Sequence, residues 1–208
     1  VLLDLVLPVE CGGCGAPSIR WCDACAAALT VRADEPLLVT PRLDPGVPVF
    51  SLGRYAGVRR EAIVAVKERG RADLIGPLSA ALHVGLTHML AWGIVDRPLT
   101  LVPAPTRRLA ARRRGGDPVT RMALAAGPPG TTVSPVLRMR AFTRDSVGLS
   151  AGDRQHNISG RVVLQRPVEG DVLLIDDVVT TGATADESVR VLQTAGARVS
   201  AVLTVAHA

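Results

Sequence analysis

Val172-Leu173-Leu174-Ile175-Asp176-Asp177-Val178-Val179-Thr180-Thr181-Gly182-Ala183-Thr184 is the stretch that decides the reading of this chain. Its first four residues are apolar and β-branched at both ends, which suits a strand buried in a parallel sheet. From Ala183 to Ala195 apolar residues recur at helical spacing, and Gly196 closes the pattern, so a helix is predicted there. A βα turn therefore lies between them. At such a turn the first N–H groups of the helix lack partners and the helix dipole favours an anion, while Gly182 permits the close backbone approach that a phosphate needs. Thr180, Thr181 and Thr184 add hydroxyl donors. Asp176 and Asp177 come one step earlier, at the carboxyl end of the strand, where open α/β sheets hold their ligands. Two carboxylates repel a phosphate, so they are expected to face hydroxyls, a Mg2+ ion or a cationic centre. A capped helix without a ligand would need one threonine and would leave the adjacent acids unexplained.

This order of apolar residues, two acids and Thr-Thr-Gly-x-Thr resembles the 13-residue phosphoribosyl pyrophosphate (PRPP) motif of type I phosphoribosyltransferases. The resemblance implies that Asp176 and Asp177 contact the ribose 2- and 3-hydroxyls. It places Val178, Val179, Thr180, Thr181, Gly182, Ala183 and Thr184 in the PRPP-binding segment, with Val179 to Thr184 around the 5-phosphate. Mg2+ is expected to accompany PRPP.

At 208 residues the chain fits one α/β domain of ordinary size with a small appendage. Its net charge of +5 suits anionic ligands, either polyphosphates or nucleic acid, and Lys67 is its only lysine. Aromatic residues make up only 2%, which disfavours a stacking platform for single-stranded nucleic acid. The longest unbroken apolar runs fall far short of the roughly 20 residues that span a bilayer. Val1 to Pro8 is short and lacks a basic leader region, so the expectation is a cytoplasmic protein without a membrane span. Cys11, Cys14, Cys22 and Cys25 form two Cys-x-x-Cys pairs separated by seven residues. Each pair can turn two thiolates toward one tetrahedral Zn2+, and four thiolates close the shell, which marks a structural site. Redox thiols are the competing use of the same spacing.

Residues 1–30 are read as a zinc-ribbon segment and 49–208 as the main domain. The connector between them, Asp34 to Pro48, carries Pro36, Pro41, Pro45 and Pro48, a density that no helix survives. A strand is predicted over Val49 to Tyr55, helices over Val58 to Arg69 and Leu74 to Trp92, a strand over Leu99 to Val102, a helix over Val119 to Ala126 and a strand over Val133 to Leu137. His83, His88 and Trp92 are assigned to packing. The basic loop after Leu99–Val102 contains Thr106, Arg107 and Arg108, then Arg112, Arg113 and Arg114. In the fold that the motif implies, this βα loop receives pyrophosphate; the same loop could instead meet a nucleic-acid backbone. The polar segment Arg138 to Gly160, with Arg144 and Arg154 as further pyrophosphate candidates, reads as a lid that excludes water.

Taken with the Cys-x-x-Cys pairs, the order Tyr55, Gly57, Arg59, Lys67, Val102-Pro103-Ala104-Pro105, Arg114-Gly115, Gly148-Leu149-Ser150, Arg154 and Asn157 before the PRPP motif is similar to the ComF family. That resemblance implies a type I phosphoribosyltransferase fold, α/β with a parallel sheet flanked by helices, plus an N-terminal zinc ribbon. It implies transfer of 5-phosphoribosyl to a nitrogen acceptor with release of pyrophosphate. The competing reading is a non-catalytic PRPP- or nucleotide-binding protein that acts with protein or DNA partners in DNA uptake or processing. Two positions depart from the family pattern: Gly116-Asp117 stands where Phe-Asn is common, and Ser146 where a lid Gln is common. No general base stands out, His156 being a lone loop histidine. The acceptor and the oligomeric state, homo-oligomer included, stay open.

Overall fold

The computed structural model describes residues 9–106, 116–140 and 160–208. Its elements run α1 (Asp23–Leu29), β1 (Leu37–Val39), β2 (Val49–Ser51), α2 (Gly57–Glu68), a 3-10 turn (Ala72–Leu74), α3 (Ile75–Ala91), β3 (Leu99–Pro103), α4 (Pro118–Ala126), β4 (Thr131–Val133), β5 (Leu137–Met139), β6 (Val162–Leu164), β7 (Asp171–Val179), α5 (Ala183–Thr194) and β8 (Arg198–His207). Six strands form one sheet in the order β1-β2-β8-β7-β3-β4. All neighbours are parallel except the antiparallel edge pair β1 and β2. β5 and β6 form a separate antiparallel pair, with β6 against α5.

A parallel sheet needs cover on both faces, and β7 shows how the sequence arranges it. Leu173 and Ile175 pack with Ile63 of α2, Leu82 and Leu86 of α3 and Met122 of α4. Val172 and Leu174 pack with Val189 and Leu192 of α5 on the other face. This alternation is the period of two that places successive side chains on opposite faces. The expected α/β class, a parallel sheet flanked by helices, is the fold found. α4 begins where Asp117 accepts from Val119 N and Thr120 N, both at 3.3 Å, with Pro118 in the first turn.

Several boundaries differ from the sequence reading. The strand expected over Val172 to Ile175 continues to Val179, because β8 pairs with it as far as His207. β8 itself, ten residues long and buried from Ala201 to Ala206, is not assigned from sequence. Val133 to Leu137 is not one strand: it joins the end of β4 to the start of β5, with Pro135 between them. The proline-rich connector holds no helix, as its proline density implies, but contains the edge strand β1, and β2 stops at Ser51 rather than Tyr55.

Among the described residues one helical stretch, Ala72–Ala91, is long and apolar enough by length and composition to cross a membrane, against the expectation that no stretch would be. Here one face of it packs into the core: Leu78, Leu82, Leu86 and Met89 are buried and it packs against α4, while His83, Val84 and Thr87 on the other face are exposed. Replacing Leu86, fully enclosed at 0% exposure, by alanine is expected to cost about 2–5 kcal/mol of stability by urea denaturation. Leu124→Ala, at 63% exposure, is expected to change stability by less than about 0.5 kcal/mol.

Candidate functional site

β3 leaves the sheet at Pro103, opposite Ile175 of β7, and Ala104 N donates to Ile175 O at 2.7 Å as it departs. β7 runs on for four more residues, paired among the described residues with β8 alone. Asp176 and Asp177 therefore lie inside β7, just past the end of its neighbour, at a notch in the carboxyl edge of the sheet. Val178 and Val179, counted with the PRPP segment in the sequence reading, also belong to β7, and Val179 is buried in the core. The turn proper is Thr180–Gly182. Gly182 precedes α5 with φ +87°, a left-handed conformation that glycine adopts freely. Ala183 N donates to Thr181 Oγ1 at 3.4 Å, while Thr180 is exposed and Thr184 half-buried.

The two acids have different surroundings. Asp177 is buried, and its Oδ1 accepts from Lys67 Nζ of α2 at 2.8 Å across 110 residues of sequence. Burial on its own would lower the Lys67 pKa, but the charges of Asp177 and Asp176 outweigh it and hold the ammonium above its ordinary value. Asp176 Oδ1 accepts from the backbone N of Asp177 at 2.8 Å. Its pKa is pushed well above the carboxylate range by burial first and by the Asp177 charge second, with Lys67 opposing. Lys67 is the residue whose role sequence alone misses. Its singularity as the one lysine was visible; its partner, distant in sequence, was not.

Thr106 is described, and its hydroxyl donates to Asp117 Oδ1 at 2.7 Å, so the residues that flank 107–116 are tied together. Similarly, Arg140 N donates to Arg161 O at 2.8 Å, and the buried Glu187 of α5 accepts from Gly160 N at 2.6 Å. Arg190 holds Glu187 from the same helix and keeps its carboxyl below the usual range. Arg107, Arg108, Arg144 and Arg154 fall outside the described residues, as do His156, Asn157 and most of the expected lid. Of that segment Arg138 and Met139 are strand β5, so the polar stretch begins later than the sequence suggests. His83 Nδ1 lies 2.8 Å from Ala126 O and His88 Nδ1 lies 2.6 Å from Glu35 O, both packing roles as expected. Trp92, although packed on the His88 ring at 5.5 Å between centroids, is 44% exposed and is not a buried anchor.

The four cysteines converge in a separate cluster beside α2, where Gly13 lies against both Cys25 Sγ and Val58. Their Sγ atoms lie within 4.8 Å of one another. A tetrahedral Zn2+ with Zn–S bonds of about 2.3 Å spaces its sulfurs about 3.8 Å apart. Cys11 to Cys22 and Cys14 to Cys22 are each 3.6 Å, so the donor set fits. Burial alone would raise the Cys11 thiol, but the backbone N–H groups of Gly13, Cys14 and Cys22 draw it down to about 6. The ribbon is fastened to the domain by Arg71, which donates to Glu10 O at 2.9 Å and Arg20 O at 3.1 Å while Asp73 grips its guanidinium. A Cβ on Gly12 would lie 2.3 Å from Leu74 Cδ1, so the first knuckle sits directly on the core.

No family model matches the chain. Orotate phosphoribosyltransferase of Actinobacillus succinogenes is 32% identical to it over 95 residues, 46% of this chain and 44% of that enzyme. The chain thus spans less than half the length of the curated relative it matches, and it is distantly similar to a phosphoribosyltransferase over that portion.

Two outcomes test this geometry. Cys22→Ser is expected to lower zinc content from about one equivalent per chain to near zero by elemental analysis, and to unfold the ribbon. Asp176→Asn is expected to raise the unfolding temperature of the ligand-free protein at pH 7. A folded-state pKa raised above the unfolded one penalises the fold once the group is ionised, so stability rises as pH falls through the folded pKa. The gap between variant and wild type should therefore close by about pH 4, near the ordinary Asp value, in thermal scans.

Proposed function

We propose that this chain binds PRPP and transfers its 5-phosphoribosyl group to a nitrogen acceptor, releasing pyrophosphate. The observation that carries the reading is the placement of Asp176 and Asp177 at a notch in the carboxyl edge of a parallel sheet, immediately before the turn Thr180–Gly182 and helix α5. The similarity to orotate phosphoribosyltransferase supports the same class, and the resemblance to the ComF family is the finer placement within it.

In this reading Thr180, Thr181, Gly182, Ala183 and Thr184 hold the 5-phosphate through backbone N–H groups and hydroxyls. Asp176 and Asp177 orient the ribose hydroxyls, and the Asp177 carboxylate offsets the positive character that grows at C1 as its bond to pyrophosphate breaks and the bond to nitrogen forms. Lys67 fixes Asp177, so the carboxylate pair is set before the substrate arrives. The acceptor nitrogen gives up its proton to solvent or to a group on the acceptor side. Thr106, Arg107, Arg108, Arg144 and Arg154 are the proposed pyrophosphate contacts. Asp176 and Asp177 are the carboxylates that could hold Mg2+, which when bound with PRPP would supply charge neutralisation to the leaving group.

Calorimetric titration with PRPP and Mg2+ tests the proposal. The zinc-loaded chain should bind saturably, and the Asp176→Ala, Asp177→Ala double variant should lose binding by at least about a hundredfold, the scale of two charge-assisted contacts. A folded wild-type chain that takes up no PRPP would sink the transferase reading.

A further inference from the structure

The proline-rich connector is absorbed neither by the zinc ribbon nor by the PRPP motif, yet it touches the phosphate turn. Leu43 N donates to Thr181 O at 2.8 Å. A Cβ on Gly182 would lie 2.3 Å from Leu43 O and 2.9 Å from Pro41 Cβ, so the connector backbone is pressed onto the turn. The connector is itself secured on either side of this contact. Val39 and Val47 pack against the core of the α5 face. Pro45 is buried, and Asp44 Oδ1 accepts from Gly46 N at 2.8 Å to close the bend after Leu43.

A trans peptide unit points its C=O and N–H in opposite directions. With the Thr181 carbonyl held by Leu43, the N–H of Gly182 in the same unit must point away from the connector. Glycine at positive φ would otherwise let this unit rotate at low cost, and a rotated unit would turn a carbonyl dipole toward the bound anion. Resting on the PRPP reading above, we propose that Pro41–Leu43 is a positioning brace that locks the Thr181–Gly182 peptide with its N–H toward the 5-phosphate. The brace acts on the site through its backbone alone and contacts no ligand. It also accounts for Gly182 from outside the motif: a side chain there would displace the brace before it met any phosphate.

The test is calorimetry of the zinc-loaded full chain with PRPP and Mg2+, using Leu43→Pro, which removes the donor, and Leu43→Ala, which keeps it. Leu43→Pro should weaken binding about tenfold or more, the scale of one hydrogen bond on which a charged ligand depends, while Leu43→Ala stays within about twofold of wild type. Hydrogen exchange at the Leu43 amide of the wild-type chain, read by NMR, gives a second measurement that needs no variant. That amide should be protected in the free protein and exchange still more slowly with PRPP bound. Wild-type affinity in a folded Leu43→Pro variant, or a Leu43 amide whose exchange is unprotected and indifferent to PRPP, would overturn the brace while leaving the PRPP site standing. Absence of PRPP binding by the wild-type chain would overturn both.

Discussion

β7 is apolar on both faces, so helices must cover it on both sides, and everything at its carboxyl end takes its position from that burial. Val172 to Ile175 are each fully enclosed, at roughly 1.5–3 kcal/mol per large side chain, so the strand cannot shift by one residue without turning its core set outward. Its neighbours then end at different heights. β8 accompanies it to His207, whereas β3 departs opposite Ile175. The notch that results is a consequence of unequal strand lengths, and it puts two acids where one neighbouring strand is missing.

Those acids sit where burial costs stability. Asp177 is satisfied by Lys67, but Asp176 is desolvated beside a second negative charge and, among the described residues, gains one backbone donor, from Asp177. A core selected only for stability would not keep an ionisable pair there. The ribbon shows the opposite balance. It has little apolar interior of its own, contributes Leu29 to the shared core, gathers four cysteine sulfurs within 4.8 Å of one another, and is tied to the domain by Arg71.

How much of this the sequence discloses depends on range. β7, the turn and α5 are legible because strand period, glycine and helical period follow one another within a few residues. α4 is legible from Asp117 and Pro118, and the cysteines from their spacing. β8 escapes because its alternation is absent: buried on both faces, it reads as an apolar run whose periodicity does not tell strand from helix. The Lys67 to Asp177 contact escapes because nothing local to either residue specifies the other. The division of labour between the adjacent acids is invisible for the same reason, since identical residue types acquire different surroundings from α2 and from the end of β3.

Long-range contacts of this kind also explain why the motif is not self-sufficient. A βα turn with glycine can adopt more than one peptide orientation, and local sequence selects among them only weakly. In this chain the turn is closed in from another part of the sequence, by Leu43 and Pro41 at its backbone, while Lys67 holds the acid just before it. Segments on either side of β2 thus hold the motif, and both are anchored by apolar packing rather than by ligand. The turn and the acids are consequently shaped by the chain's own packing, which lowers the ordering cost that any ligand would otherwise have to offset.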